Sequence, residues 1–156
     1  MSKVQRKMNS KIGPLYLVAS AKALHGVFWK SQNESKEQSN SEESRLLDKA
    51  EVQINEYLSG KRKSFDIPLE LEGTEFQKKV WAELVKIPYG QTRSYKDIAK
   101  NLKDSNASRA VGTANRRNPI SLIVPCHRVI ASDGTLGGYA GGLPIKEFLL
   151  SLEKGI

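Results

Sequence analysis

Residues 118–130 read NPISLIVPCHRVI. Ile120 to Val124 is a short run rich in β-branched residues, which predicts a buried strand. Pro125 has no N–H to give to a ladder, so that strand is expected to end there. Cys126, the only cysteine in the chain, comes next, followed by His127 and Arg128. A thiol leaving a buried strand, beside an imidazole and a guanidinium, is placed where a nucleophile would sit. Adjacent residues of an extended chain point to opposite faces. Direct contact between Cys126 and His127 therefore needs a bend after Pro125, or an intervening water.

Upstream of this stretch the periodicity is helical. Thr74 is spaced as a capping box with Gln77, and Phe76, Val80, Leu84 and Ile87 recur on one face. Pro88-Tyr89-Gly90 is expected to end that helix. Ser94 caps the next, with Asp97 in its first turn and Ile98, Ala99 and Leu102 facing inward. After a polar turn, residues 103–106, a third helix is expected over 107–116. Helix, short turn, helix is the pattern of a helix-turn-helix, although many helical hairpins bind nothing. Downstream, residues 133–142 hold five of the chain's 12 glycines, around Tyr139. Such a loop lets backbone approach something closely. Pro144 then opens a final helix with Phe148, Leu149 and Leu152 on its buried face.

The N-terminal part has a different texture. PLYLVA and ALHGVFW, within residues 14–29, predict a β-hairpin or the edge of a small sheet. His25 lies in the second strand and reads as a half-buried structural histidine. Residues 31–44, SQNESKEQSNSEES, have almost no apolar content and read as a solvated or disordered loop. From Glu42 to Leu58, Leu46, Leu47, Ala50, Ile54, Tyr57 and Leu58 recur at helical spacing, with Gly60 as the stop. The basic cluster Lys61-Arg62-Lys63 reads as helix-end charge. Phe65 to Leu71 is extended and leads into the second part.

A 156-residue chain, 38% hydrophobic and 27% charged, has the composition of a soluble globular protein. No apolar run approaches the ~20 residues that span a bilayer, and the start of the chain does not read as a secretory signal. A cytoplasmic protein without a membrane partner is the default expectation. One cysteine excludes an intramolecular disulfide, and two histidines leave too few ligands for an ordinary zinc site. No metal and no cofactor are expected. The net charge of +8 favours a polyanion partner.

PCHRVI resembles the active-site motif of the O6-alkylguanine-DNA alkyltransferases, the methylated-DNA–protein-cysteine methyltransferases. SYKDIA at 94–99, SRAVGTANRRNP at 108–119 and GTLGGYAGGLPIKEFLL at 134–150 extend the resemblance in order over roughly the second half of the chain. The implied fold is α/β (α+β). Residues 1–70 would form a supporting ribonuclease-H-like sheet with a helix. Residues 71–156 would form a mostly helical, winged-helix-like domain that carries the function. The implied reaction moves the alkyl group of O6-alkylguanine, with O4-alkylthymine as a second substrate, irreversibly to Cys126. It needs double-stranded DNA, no cofactor, and a monomer, with cooperative assembly on DNA left open.

The resemblance also implies roles. His127 would activate Cys126 through a water, with Glu153 orienting the imidazole. Tyr95 would donate a proton or hydrogen bond to the guanine ring, and Asn118 would tie the helix-turn-helix to the active-site strand. Arg109 would fill the stack vacated by a flipped nucleotide. Ala107, Ser108, Ala110, Gly112, Thr113, Asn115, Arg116, Arg117 and Arg128, with Tyr95, complete the DNA side, entered through the minor groove. Val129, Gly137, Gly138, Tyr139 and Ala140 would wall the base pocket. Three other readings stay open from the residues: a non-catalytic reader of alkylated guanine that recruits repair factors, a helix-turn-helix regulator, and a thiol hydrolase using Cys126, His127 and Glu153.

Overall fold

The computed structural model describes residues 2–156. The chain divides into two compact units, one ending at Glu72 and taking in Pro119–Ser121, the other formed by Gly73–Asn118 and Leu122–Ile156. Together they make an α+β protein, with a four-stranded sheet in the first unit and a largely helical second. Among the described residues, no helix is long and apolar enough to cross a membrane.

In the first unit, β1 (Val4–Ser10), β2 (Gly13–Ala19) and β3 (Leu24–Phe28) form an antiparallel meander. The β2–β3 hairpin is the one its alternation predicts. β1 carries only one buried residue, Met8, and its polar face hides it from a periodicity reading. It is held by a full register with β2, from Val4 opposite Ala19 to Ser10 opposite Gly13. The polar segment 31–44 is mostly exposed loop, as its composition predicts, but it also holds a short strand and the start of a helix. Ser35–Lys36 forms β4, which pairs parallel to β1 at the sheet edge. Polar side chains do the anchoring: Arg6 Nε donates to Glu37 Oε1 at 2.6 Å, and Gln32 N donates to Gln5 Oε1 at 2.7 Å. Helix α1 (Glu42–Leu58) starts at Ser41, which accepts from Ser44 N, and buries Leu47, Ala50, Ile54, Tyr57 and Leu58.

The expected strand at 120–124 does not form. Ile120 makes a single parallel bridge to Val27, with Val27 N donating to Pro119 O at 2.9 Å. The chain then turns through Leu122, whose φ is +73°. Ile120, Leu122 and Val124 are all buried. Their apolar run records a buried turn, which sequence periodicity cannot separate from a buried strand.

The second unit opens with α2 (Glu75–Val85), whose predicted capping box between Thr74 and Gln77 is present. Its buried face is Val80, Trp81 and Leu84, and the Trp81 indole donates to Ala114 O at 2.9 Å. The short strand β5 (Arg93–Ser94) leads into α3 (Tyr95–Asn101), which carries its own capping box between Ser94 and Asp97. Helix α4 (Ser108–Arg116) follows, then a single 3₁₀ turn, Cys126–Arg128, and β6 (Val129–Ile130), parallel to β5. The last helix, α5 (Leu143–Lys154), has Pro144 in its first turn. Its buried face is Lys146, Leu149 and Glu153, whereas Phe148, expected inside, is 36% exposed. Two of the three inward residues are charged because this face serves the site.

Candidate active site

Cys126 sits on the 3₁₀ turn, so the bend that a thiol–imidazole pair requires after Pro125 is built into the backbone. The sulfur is at the end of no strand. Cys126 is 3% exposed and His127 is fully buried. Two amides, one on α4 and one just beyond its end, hold the backbone around Cys126. Asn118 Nδ2 donates to Val124 O at 2.7 Å, and Asn115 Nδ2 donates to Cys126 O at 3.2 Å.

Glu153 is the hub. Its carboxylate accepts from His127 Nε2 at 2.7 Å, from Arg128 Nε at 2.8 Å and Nη2 at 3.0 Å, and from Gly90 N at 3.0 Å. The remaining Arg128 fork donates from Nη1 to Ile87 O at 2.7 Å, with the guanidinium 5.7 Å from the Tyr89 ring centroid. A bidentate arginine balances the buried carboxylate while its second oxygen holds the histidine. Gly90 is required here: its φ is +82°, and a Cβ would lie 3.2 Å from Glu153 O. Burial pushes the His127 pKa down, against the upward pull of Glu153. The imidazole is therefore neutral near pH 7. With Nε2–H on the carboxylate, Nδ1 carries the lone pair.

Lys146 was not singled out in the sequence. It has no exposed surface, and its ammonium donates to Val129 O at 2.7 Å, to Leu136 O, and to Gly138 O at 3.3 Å. Burial lowers its pKa to about 8, while negative charge on Cys126 pulls it back up. One side chain thus gathers the strand after Cys126 and the glycine loop, and places an amine whose charge is coupled to that of Cys126. The available signal was a lysine in register with Leu149 and Glu153 on one helical face.

Tyr95 opens α3. Its hydroxyl is buried and has no hydrogen-bond partner among the described residues. Burial raises its pKa, so the phenol keeps its proton. Gly137 has a φ of +71°, and a Cβ there would come within 2.7 Å of the Tyr95 oxygen. The loop approaches Tyr95 as closely as backbone allows. Tyr139 is buried and Val129 fully so, while Gly138 and Ala140 are exposed.

The residues expected on the DNA side separate into two groups. Arg109, Ala110, Thr113, Arg116 and Arg117 are exposed on or just beyond α4, with Ser108 half-buried. Ala107, Gly112 and Asn115 are buried. Two expectations need correction. Asn115 is 1% exposed and holds the Cys126 carbonyl, so it works inward rather than toward a surface partner. Arg128 is 7% exposed and its guanidinium is engaged by Glu153 and Ile87 O, so it is part of the thiol's support.

In the first unit, His25, Glu70 and Glu72 present atoms within 4.8 Å of one another, a spacing that could hold a cation. The charge is supplied otherwise. Lys3 Nζ lies 2.6 Å from Glu72 Oε1, and His25 bonds Ser20 Oγ at 2.9 Å and Glu72 at 3.2 Å. His25 keeps its structural reading.

Comparison with known proteins places the chain in a family. Residues 75–155 match the profile of the 6-O-methylguanine DNA methyltransferase DNA-binding domain, and residues 3–71 that of its ribonuclease-like domain. The chain is 51% identical over 146 residues to a methylated-DNA–protein-cysteine methyltransferase of Methanosarcina acetivorans, covering 92% of this chain and 94% of the relative. A Mycobacterium tuberculosis protein of the same name is 43% identical over 150 residues, covering 96% and 91%. The crystal structure of Mycobacterium tuberculosis OGT in complex with DNA aligns with a TM-score of 0.88 at 41% identity, covering 97% of this chain and 92% of that one.

Proposed function

The chain belongs to the methylated-DNA–protein-cysteine methyltransferase family, and from that premise we propose that it accepts the O6-alkyl group of a damaged guanine on its own Cys126, once per molecule. The family places it among DNA-repair enzymes that bind DNA and transfer alkyl groups to a protein cysteine. The observation that carries the residue assignment is the buried His127–Glu153 pair, 2.7 Å between Nε2 and the carboxylate, next in the chain to buried Cys126.

In the proposed step, His127 Nδ1 takes the thiol proton through a water, and Glu153 stabilises the imidazolium that forms. The thiolate attacks the alkyl carbon, the carbon–O6 bond breaks, and its electron pair goes to the guanine oxygen. Tyr95 gives its proton to the guanine ring, so the base leaves neutral. Its buried hydroxyl, unpartnered in the free protein, suits a donor awaiting an acceptor. Lys146 supports the thiolate before the attack. O4-alkylthymine offers the same alkyl–oxygen bond and is the secondary substrate.

A stacked base cannot reach a buried thiol, so the nucleotide must leave the duplex. Exposed Arg109 is the residue assigned to the vacated space, and the small exposed Ala110 beside it lets α4 approach the minor groove. Ser108, Thr113 and Arg117 are assigned to the backbone. Gly137, Gly138, Tyr139, Ala140 and Val129 are assigned to the walls of the pocket. The product is a thioether in a packed interior, and a carbon–sulfur bond of that kind is not broken by acid–base groups such as His127 and Glu153. That supports a single turnover.

The test is intact-mass analysis after mixing with duplex DNA carrying one O6-methylguanine. The expected result is gain of one methyl group per chain, mapped to the Cys126 peptide. Tight lesion-selective binding with no adduct would turn the protein into a non-catalytic reader. Repeated turnover of acyl substrates without DNA would make it a hydrolase.

A further inference from the structure

Arg116 is exposed at the end of α4, where a phosphate contact is the ordinary expectation. Its side chain takes a different course. A Cβ on Gly112 would lie 3.7 Å from Arg116 Nη1 and 3.8 Å from two ring carbons of Tyr95. A Cβ on Gly138 would lie 3.4 Å from Arg116 Cδ and 3.9 Å from Nη1. Arg116 therefore runs back over α4, across the gap that Gly112 leaves open, to the glycine loop that covers Tyr95. Among the described residues it has no hydrogen bond and no ion pair to explain that course. A second observation is independent of it: the Tyr95 hydroxyl is buried and unpartnered.

We propose that Arg116 is a positioning residue for the transfer step, set beside Tyr95 to hold the negative charge that reaches the phenol oxygen when its proton goes to the leaving guanine. This rests on the reading above. In that step the negative charge of the Cys126 thiolate is consumed as the sulfur–carbon bond forms. Guanine receives the electron pair of the broken carbon–oxygen bond and the phenol proton, so it leaves neutral. The net charge has moved from Cys126 to Tyr95, which later recovers a proton from water. A cation fixed where charge develops stabilises the product side of the step more than the ground state. The charged groups felt by Tyr95 agree: after burial, Arg116 lowers its pKa and Cys126 raises it. The second influence disappears once the thioether has formed. Gly112 then has a role of its own, since any side chain there would sit between the phenol and the guanidinium.

The test is single-turnover methyl transfer by Arg116→Gln and Arg116→Lys, on duplex DNA with one O6-methylguanine, across protein concentrations. Arg116→Gln is expected to lower the saturating rate on the order of tenfold, with Arg116→Lys recovering most of it. In a Tyr95→Phe background Arg116→Gln should change the rate less than twofold, because the charge it serves never forms. In DNA-free protein with ¹³Cζ-labelled tyrosine, Tyr95 should titrate at higher pH in Arg116→Gln. An unchanged saturating rate with only weaker binding would make Arg116 a phosphate ligand and overturn the proposal. So would an unchanged Tyr95 titration. A wild-type protein that gains no methyl group would sink the functional reading instead, and the titration would still decide the Arg116–Tyr95 pairing.

Discussion

Lys146 concentrates the cost of this site in one side chain. A lysine with no exposed surface is held by three backbone carbonyls, and burial lowers its pKa to about 8 from 10.5. Below about pH 8 the folded protein carries a buried charge that the unfolded chain carries in water. Between 8 and 10.5 the unfolded chain binds more protons, so this residue makes stability rise with pH across that window. Lys146→Met, which fills similar space without charge, should remove the rise. Urea unfolding followed from pH 7.5 to 10.5 should show wild type gaining on the variant by at most about 1.4 kcal/mol per pH unit. Parallel curves for the two proteins would mean that Lys146 titrates as it does in water. The variant should also transfer methyl groups more slowly at neutral pH, since the thiolate loses its nearby cation. Nothing in a linear reading of GLPIKEFLL sets this lysine apart. Its meaning lies in sharing one helix face with Leu149 and Glu153, beneath the thiol.

At the scale of elements, the sequence speaks clearly where the physics is local. Both helix starts, Thr74 in its capping box with Gln77 and Ser94 as the cap before Asp97, were readable because donor and acceptor lie three residues apart, and the structure shows that Asp97 completes a second capping box. They allow a paired prediction. Thr74→Ala and Ser94→Ala should each cost about 1 kcal/mol of stability, seen as a shift in urea midpoint at constant slope. Only Ser94→Ala should also slow transfer, because Ser94 fixes the start of α3 where Tyr95 stands. Equal transfer rates for both variants would mean that Tyr95 is positioned by its packing on Gly137 alone. The elements that escaped sequence reading are held by distant partners. β4 exists through Arg6–Glu37 and the β1 backbone, and β1 through its register with β2. The apolar run at 120–124 became a buried turn because Leu122 adopts positive φ. Phe148 was expected inside because an apolar face was assumed, whereas α5 turns Lys146 and Glu153 inward. The same limit applies in the site. Cys126 and His127 stand out in the sequence by their chemistry, Glu153 and Tyr95 only through the family resemblance, and the inward contacts of Asn115 and Arg128 depend on groups from 11 to 41 residues away.

For the whole molecule, the net charge of +8 is unevenly shared. The unit containing Cys126 holds 13 Lys and Arg against 7 Asp and Glu, a net of +6, leaving +2 for the unit that contains the sheet. Two of the 13, Arg128 and Lys146, are buried among their own partners. The exposed ones, including Lys96, Lys100, Lys103 and Arg117, remain free to displace counterions from DNA. Each phosphate neutralised contributes about −0.9 to the slope of log K against log salt. Lys96→Gln, Lys103→Gln and Arg117→Gln combined should therefore flatten that slope, by about one for each phosphate contact removed. Lys11→Gln, Lys22→Gln and Lys61→Gln combined remove the same formal charge from exposed positions of the other unit and should leave it unchanged. Fluorescence anisotropy with undamaged duplex, from low to physiological salt, measures both. If the two triple variants flattened the slope equally, net charge alone would govern binding and the helical unit would have no privileged face. If only the first does, the sheet unit adds little to DNA affinity, and its exposed surface is not selected for that partner.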